Sequence, residues 1–349
     1  MSIKINAAVI TSPGSVALRQ FETPDLEQNE VLVRVKAVAL CTLEQRAFSG
    51  MLKAPLPFLG GHEVAGEIAA LGSGANRTLL EVGNHVAVRM LYNCGECYYC
   101  RSGHGNLCVH AQRKPVRAGL PAGPGGLCDY IIADTTALYR IPDDFSYSEA
   151  SLTEPLACCV HSVERAGICL GNDVVVIGGG IMGQLHVMLA KRLGARVFLI
   201  EPDENRRILG SELGADLCVD AAKEDPFQVV MSITEGRGAD VVFNTTAIAS
   251  VLEQAIAMCG KTGRMVQYSS MHPDVPTLIS PQMLHSSEKY LTGSISPTTR
   301  DFFTANKLLS SGIISVKRLI CTEIPFSESQ CAFETAVQPN TLRVIVVEN

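Results

Sequence analysis

Val174-Val175-Val176-Ile177-Gly178-Gly179-Gly180-Ile181-Met182-Gly183 decides the fold of the chain's second half. Four β-branched residues in a row read as a strand buried on both faces, and the stretch Met182–Leu193 behind them reads as an apolar helix. The residues between spell Gly-x-Gly-x-x-Gly. That pattern alone is common. Between a strand and a helix, with an acid at the end of the next strand, it marks a dinucleotide-binding turn. Glu201 supplies the acid, 23 residues after Gly178 and closing the strand Arg196–Ile200. Gly178 permits the tight turn. Gly180 lets the backbone approach a pyrophosphate at the helix N-terminus, with Ile181 and Met182 in the same turn, and Gly183 lets helix and strand pack closely. Glu201 can accept hydrogen bonds from both ribose hydroxyls and repels a 2′-phosphate, so NAD is expected over NADP. Arg206 and Arg207 are the counter-argument.

Toward the C-terminus the alternation continues with a helix at Glu204–Leu213 and strands at Val241–Asn244 and Arg264–Tyr268. Strict alternation of strand and helix indicates a parallel sheet covered on both faces. After about Leu291 it fades, leaving a helical stretch, Arg300–Ser310, and a last apolar strand, Leu342–Val347. Toward the N-terminus the texture changes near residue 145, where Ser146 and Glu149 fit a capping box opening a helix, with Pro155 in it or kinking it. The first 150 residues are β-branched runs broken by Gly, Pro and Asn, with strands at Val31–Val38, Val64–Leu71 and Val86–Met90 and a Pro/Gly-rich loop at Pro115–Gly126. This half reads as a β-rich, barrel-like domain.

Composition narrows the function. The net charge is −6 with no Lys/Arg-rich run, which disfavours nucleic acid and anionic membrane surfaces as partners. The start of the chain lacks a signal peptide's apolar core, and no uninterrupted apolar stretch approaches the roughly 18 residues of a membrane span. A cytoplasmic protein is expected. Thirteen cysteines then point to metal ligands and buried thiols rather than disulfides.

Four of the cysteines form Cys94-Gly95-Glu96-Cys97-Tyr98-Tyr99-Cys100, followed after seven residues by Cys108. Four thiolates at these spacings can close a tetrahedral zinc shell with no position left for substrate, so the site is structural and staples a loop with little core of its own. An iron–sulfur cluster is the rival occupant. A second constellation is Gly61-His62-Glu63-Val64-Ala65-Gly66, with Gly72 after five more residues, Cys41 about twenty residues earlier, and Glu154 heading Glu-Pro-Leu-Ala. A thiolate, an imidazole and one or two carboxylates can hold Zn²⁺ and still admit water or substrate, which is the mark of a catalytic zinc.

Both motifs, in spacing and flanking residues, resemble the zinc-containing medium-chain dehydrogenase/reductase family. The resemblance runs along nearly the whole chain. It implies a GroES-like β-barrel catalytic domain, residues 1–150 and 291–349, interrupted by a Rossmann doubly wound parallel-sheet domain, residues 151–290, with the active site in the cleft between them. It implies Cys41, His62 and Glu63 as ligands of a catalytic zinc, and Glu154 as a ligand that binds directly, through water, or only in some states. The two glutamates fit the polyol branch, which includes sorbitol and butanediol dehydrogenases. Glu44 stands where the family usually has the aspartate that fixes the zinc-bound histidine's tautomer. Arg206 matches the family's basic residue near the adenine ribose, and Tyr268, Ser269 and Ile295 fall in segments that reach the nicotinamide. One departure stands out: two residues after Cys41 the family places a Ser or Thr that relays the substrate proton, and this chain has Leu43.

The expected function is therefore zinc-dependent hydride transfer between NAD(H) and a small secondary alcohol or ketone of a polyol or sugar-like substrate, by a homodimer or homotetramer. Two alternatives stay open. One is a threonine- or phosphopolyol-type dehydrogenase of the same family. The other is a non-catalytic NAD-binding sensor that kept only the structural zinc, from which two zinc ions per chain would distinguish the enzyme.

Overall fold

A computed structural model describes every residue except 1, 2, 77, 112–116 and 272. Pro115 and Val116, which open the expected Pro/Gly-rich loop, lie outside the described residues. The chain divides into two compact units: one takes in the chain up to Ala157 and again Thr298–Asn349, and the other is Cys158–Pro297. Each junction falls seven residues beyond the one read from the sequence. At the first, the junction falls inside the helix Thr153–Ala166, beyond the change in texture near residue 145, so composition shifts before the packing does.

In the discontinuous unit, the hairpin Ile3–Ser12 with Ser15–Thr23 stands beside a larger sheet. The sheet is organised around Glu30–Ala39, a ten-residue strand that pairs antiparallel with Glu63–Leu71, Tyr130–Asp134 and Arg343–Val347. Its length lets it hold Tyr130–Asp134 along one half of an edge and Arg343–Val347 along the other. Glu63–Leu71 passes the sheet on to His85–Arg89 and then Leu138–Arg140, while Ile320–Pro325 adds parallel to Arg343–Val347. Val31, Val33, Val35, Val64, Ile68, Val86 and Val88 fill the core, together with Phe48 and Phe333, whose ring centroids are 5.2 Å apart. The expected capping box is half made. Ser146 accepts the amide of Glu149, but the helix Tyr147–Ser151 stops and Thr153–Ala166 begins anew. Pro155 sits in that second helix's first turn, where no amide donor is needed, so it neither kinks nor breaks it.

The other unit is a six-stranded sheet in the order Leu217–Val219, Arg196–Ile200, Asp173–Ile177, Ala239–Asn244, Cys259–Gln267, Tyr290–Gly293, with every pair parallel. Helices Ile181–Arg192, Glu204–Glu212, Pro226–Ile233 and Ala249–Met258 connect the strands. Asp173–Ile177 is buried at every position, as its uninterrupted apolar run predicts. Strand order reverses between it and Ala239–Asn244, so its carboxyl end, at Gly178, is the switch point where doubly wound sheets bind ligands. The strand read as Arg264–Tyr268 is longer, Cys259–Gln267. Its first residues pair out of register with Ala239–Asn244, and Gly260 and Gly263, which pack against backbone there, hide the pattern.

A buried histidine braces this unit. His186 donates from Nδ1 to the Met182 carbonyl (2.7 Å) and accepts at Nε2 from the Ser162 hydroxyl (2.9 Å), between the rings of Phe243 and Tyr268. Burial lowers it from 6.5 to about 4. The fold therefore holds the neutral ring. As pH falls below 6.5 the unfolded chain takes up a proton that the folded chain refuses until about pH 4. Stability from this site is full above 6.5 and is lost on acidification, by about 3 kcal/mol at completion. His186→Gln should flatten the pH dependence of the unfolding free energy by about 2 kcal/mol between pH 7 and 4.5, most of that total; parallel profiles would refute the assignment.

Candidate active site and metal centres

Cys41 caps the helix Thr42–Phe48, and His62 immediately precedes the strand Glu63–Leu71. Pairing of Ala39 with Glu63 brings these two chain segments side by side. One buried carboxylate ties them together. Glu44 Oε2 accepts the Cys41 amide (3.1 Å), while Oε1 accepts the Gly61 amide (2.9 Å) and faces His62 Nδ1 at 3.1 Å. An ionised Glu44 needs Nδ1 protonated, which leaves the Nε2 lone pair for a metal. Charge follows geometry: burial raises the Glu44 carboxyl, but the His62 ring and the Gly61 amide outweigh it and leave it lowered. Burial likewise pushes the Cys41 thiol up, and His62 and Arg343 bring it down to about 7.

The donor atoms of Cys41, His62 and Glu63 all lie within 4.8 Å of one another. Glu63 is fully buried. Its Oε1 takes a 2.7 Å ion pair from Arg343 Nη2, while its Oε2 is buried with no hydrogen-bond partner. A buried, unpaired carboxylate oxygen beside a thiolate and an imidazole is what a bound cation satisfies. The residues present therefore fit a zinc ion. Glu154 is buried as well, at 6% exposure, but lies outside the three-residue group; its charge acts on Glu63 and Arg343. Thr42 places its hydroxyl 3.7 Å from Cys41 Sγ on the solvent side, and Leu43 offers none.

Arg343 was not among the expected residues. It lies on the last strand, donates Nη1 to the Leu40 carbonyl (3.1 Å) just before the cysteine, and is itself buried. The sequence hint was a lone arginine opening an otherwise apolar strand, a position where a charge needs a buried partner.

In the cysteine lobe the sulfur of Cys100 lies 3.9 Å from that of Cys94 and 3.5 Å from that of Cys97, and the Cys97 and Cys108 sulfurs are 4.0 Å apart. A tetrahedral shell with zinc–sulfur bonds of about 2.3 Å sets its sulfurs about 3.8 Å apart, so the lobe fits zinc without rearrangement. Backbone amides also point at the sulfurs, from Cys97 to Cys94 (3.4 Å), from Cys94 to Cys108 (3.3 Å) and from His110 to Cys108 (3.4 Å), an arrangement that favours thiolates.

At the switch point Gly178 has φ +101°, and a Cβ on Gly183 would meet the Gly178 carbonyl oxygen at 1.8 Å. Gly180 caps the helix Ile181–Arg192 and has open space where its Cβ would be, room for a ligand to approach the amides of the first turn. Glu201 receives the Gly179 amide (2.5 Å) and the Asp203 amide (2.9 Å), so the acid also holds the glycine turn. Arg207 is committed to the fold through the Glu201 carbonyl (2.9 Å) and Asp220 (2.9 Å). Tyr268 packs its ring on His186, Ser269 donates to the Thr245 carbonyl (2.7 Å), and Ile295 is largely exposed. Thr245 and Thr246 went unread in the sequence. Thr245 donates to the Ile177 carbonyl at 2.8 Å, and both threonines abut Gly178. Their signal was position alone, directly after the strand that neighbours the glycine turn.

Comparison with known proteins shows the family. The family model for the alcohol dehydrogenase GroES-like domain matches residues 27–143, and that for zinc-binding dehydrogenases matches residues 182–311. D-arabitol-phosphate dehydrogenase of Enterococcus avium is 30% identical over 346 residues, 97% of this chain and 96% of that one. Sorbitol dehydrogenase of Bacillus subtilis is 29% identical over 352 residues, 99% of this chain and 98% of the relative. A solved zinc-binding dehydrogenase of Sinorhizobium meliloti 1021, bound to NADP, is 26% identical and superposes with a TM-score of 0.88 over 99% of both chains. Among the described residues no helix is long and apolar enough to cross a membrane. The chain belongs to the zinc-type alcohol dehydrogenase superfamily, as a zinc-binding oxidoreductase that works with a nicotinamide cofactor.

Proposed function

We propose that this enzyme oxidises a secondary alcohol of a polyol or sugar-like substrate, or reduces the matching ketone, with NAD as hydride carrier and two zinc ions per chain. The observation that carries the reading is the buried trio Cys41, His62 and Glu63, whose donor atoms converge around an unpaired carboxylate oxygen. These three would hold the catalytic ion, with Glu154 as a further ligand, direct or through water. Cys94, Cys97, Cys100 and Cys108 would hold the structural one. When bound, a zinc ion there would supply Lewis-acid polarisation of a substrate hydroxyl, and a nicotinamide would supply the hydride acceptor.

The chain's own residues do the positioning. Glu44 holds His62 in one tautomer, and Arg343 holds Glu63 in place against the charge of Glu154. With Leu43 unable to carry a proton, the Thr42 hydroxyl beside Cys41 is the group placed to pass it to solvent. Gly178, Gly180, Ile181, Met182 and Gly183 form the pyrophosphate turn, and Glu201 takes the ribose hydroxyls. The names of the relatives support a polyol or its phosphate ester as substrate.

The test is NAD- and NADP-linked oxidation by the zinc-loaded chain across polyols, polyol phosphates, sugar acids and threonine, with zinc counted in the same preparation. The highest kcat/KM should fall on a polyol or polyol phosphate, with NAD preferred by about tenfold or more, the worth of about 1.4 kcal/mol of repulsion. Threonine as best substrate would overturn the substrate class. No turnover with one zinc per chain would favour a cofactor-binding sensor.

A further inference from the structure

We propose that Gly60 and Glu44 are a matched pair of positioning residues: the missing side chain at 60 is what lets a glutamate serve the Cys41–His62–Glu63 site. The proposal rests on reading those three residues as the catalytic zinc ligands.

Glu44 is fully buried, and its carboxylate gathers three donors from two chain segments: the amide of Cys41, the amide of Gly61 and the ring of His62. All three must keep hydrogen-bond length while the helix start and the strand start stay where their own pairing puts them. A glutamate reaching that fixed target folds its chain sideways, and the displaced methylene occupies the place of a side chain at residue 60. A Cβ on Gly60 would lie 2.8 Å from Glu44 Cγ, 3.3 Å from its Oε1 and 3.4 Å from Leu127 Cδ1. The first distance is shorter than real Cβ atoms tolerate. Cγ cannot swing away either, because it sits between the backbone and a carboxylate pinned by three hydrogen bonds.

The backbone at 60 has no slack to give. Leu59 is fully buried, and its amide donates to the Ala122 carbonyl (2.9 Å). The Leu59 carbonyl accepts the Gly125 amide (3.1 Å), and the Gly60 carbonyl accepts the amides of Gly126 and Leu127 (3.0 Å each). Neighbouring Gly61 needs to be glycine on two other grounds: its φ is +91°, and its Cβ would strike the Leu127 amide nitrogen at 2.5 Å. Gly60 has no left-handed φ, so its backbone would accept alanine. The one demand on residue 60 is the space that Glu44 takes. A methyl there has to be accommodated by Glu44, whose carboxylate then leaves His62, and the imidazole loses its fixed tautomer and orientation.

A shorter carboxylate does not need the sideways fold, so the two positions should compensate. Zinc affinity is measured by competition with a chromogenic chelator on the full chain, with ions per chain counted before and after. Gly60→Ala should weaken the more labile ion about 10- to 100-fold, the usual cost of losing a partner of a zinc-bound histidine, and leave the cysteine-lobe ion in place. In a Glu44→Asp background the same substitution should cost less than about threefold, well below that 10- to 100-fold range. A fall in kcat at unchanged KM for the cofactor should accompany the first loss and not the second. If Gly60→Ala fails to fold, a folded, zinc-binding Glu44→Asp/Gly60→Ala chain supports the pairing. The proposal is overturned if Gly60→Ala binds zinc as wild type does, if it costs the same factor in both backgrounds, or if neither variant folds. Cys41→Ser serves as the separate check: if it leaves the number of zinc ions per chain unchanged, the metal-site reading fails rather than the pairing.

Discussion

Cys41→Ser and His62→Ala should each lower kcat/KM by at least about a thousandfold, equivalent to about 4 kcal/mol of transition-state stabilisation. Each removes one of three donors that converge within 4.8 Å. A hydroxyl in place of Sγ is a harder, less acidic ligand than the thiolate that His62 and Arg343 hold at about 7. Alanine at 62 leaves Glu44 Oε1 with only the Gly61 amide. The loss should appear as one zinc ion fewer per chain, with the cysteine-lobe ion, cofactor binding and far-UV circular dichroism retained. Activity within tenfold of wild type in either variant would remove the trio from the mechanism.

Arg343→Met should cost about 3–5 kcal/mol of stability, the usual effect of stripping one partner from a buried ion pair. Arg343 is 2% exposed and Glu63 0%, so bulk water does not screen the pair. The Leu40 carbonyl loses its donor too, next to the cysteine it positions. Much of the cost is a stranded carboxylate rather than a missing attraction. Adding Glu63→Gln to Arg343→Met should therefore recover part of it, whereas Glu63→Gln alone should destabilise. Equilibrium denaturation of the four chains closes the cycle. A single-variant loss under about 1 kcal/mol, the size typical of an exposed pair, would show that the pair is not a structural element of the site.

What was readable in the sequence is what local chemistry dictates. Gly178 is fixed by a left-handed backbone angle and Gly183 by a close approach to the Gly178 carbonyl, while Gly180 leaves its Cβ position open, so their spacing carries the turn by itself. The cysteine lobe is equally local, because four ligands within fifteen residues need no long-range pairing to meet. Glu44 could be read from its place three residues after Cys41, on the first turn of the same helix. Arg343 could not: it meets Glu63 across 280 residues of chain, and only the pairing of Arg343–Val347 with Glu30–Ala39 brings them together. Gly60 was invisible for another reason. A glycine beside a second glycine looks like part of one loop, and the space it leaves has meaning only once the path of Glu44 is known. Thr245 likewise acquires a role from its neighbours in the sheet, not from its neighbours in sequence.

The ion pair of Arg343 with Glu63 also sets a timetable. During synthesis Cys41, His62, Glu63 and Glu154 emerge early, and the whole of Cys158–Pro297 is then made before the strand that carries Arg343. Until that strand docks on Glu30–Ala39, the carboxylate of Glu63 lacks its counter-charge and the Leu40 carbonyl its donor. A chain cut at residue 300 would contain every residue of the cysteine lobe and of the second unit, yet Glu63 would lack its counter-charge. Completion of the Cys41–His62–Glu63 cluster is thus deferred until Cys158–Pro297 has already been made.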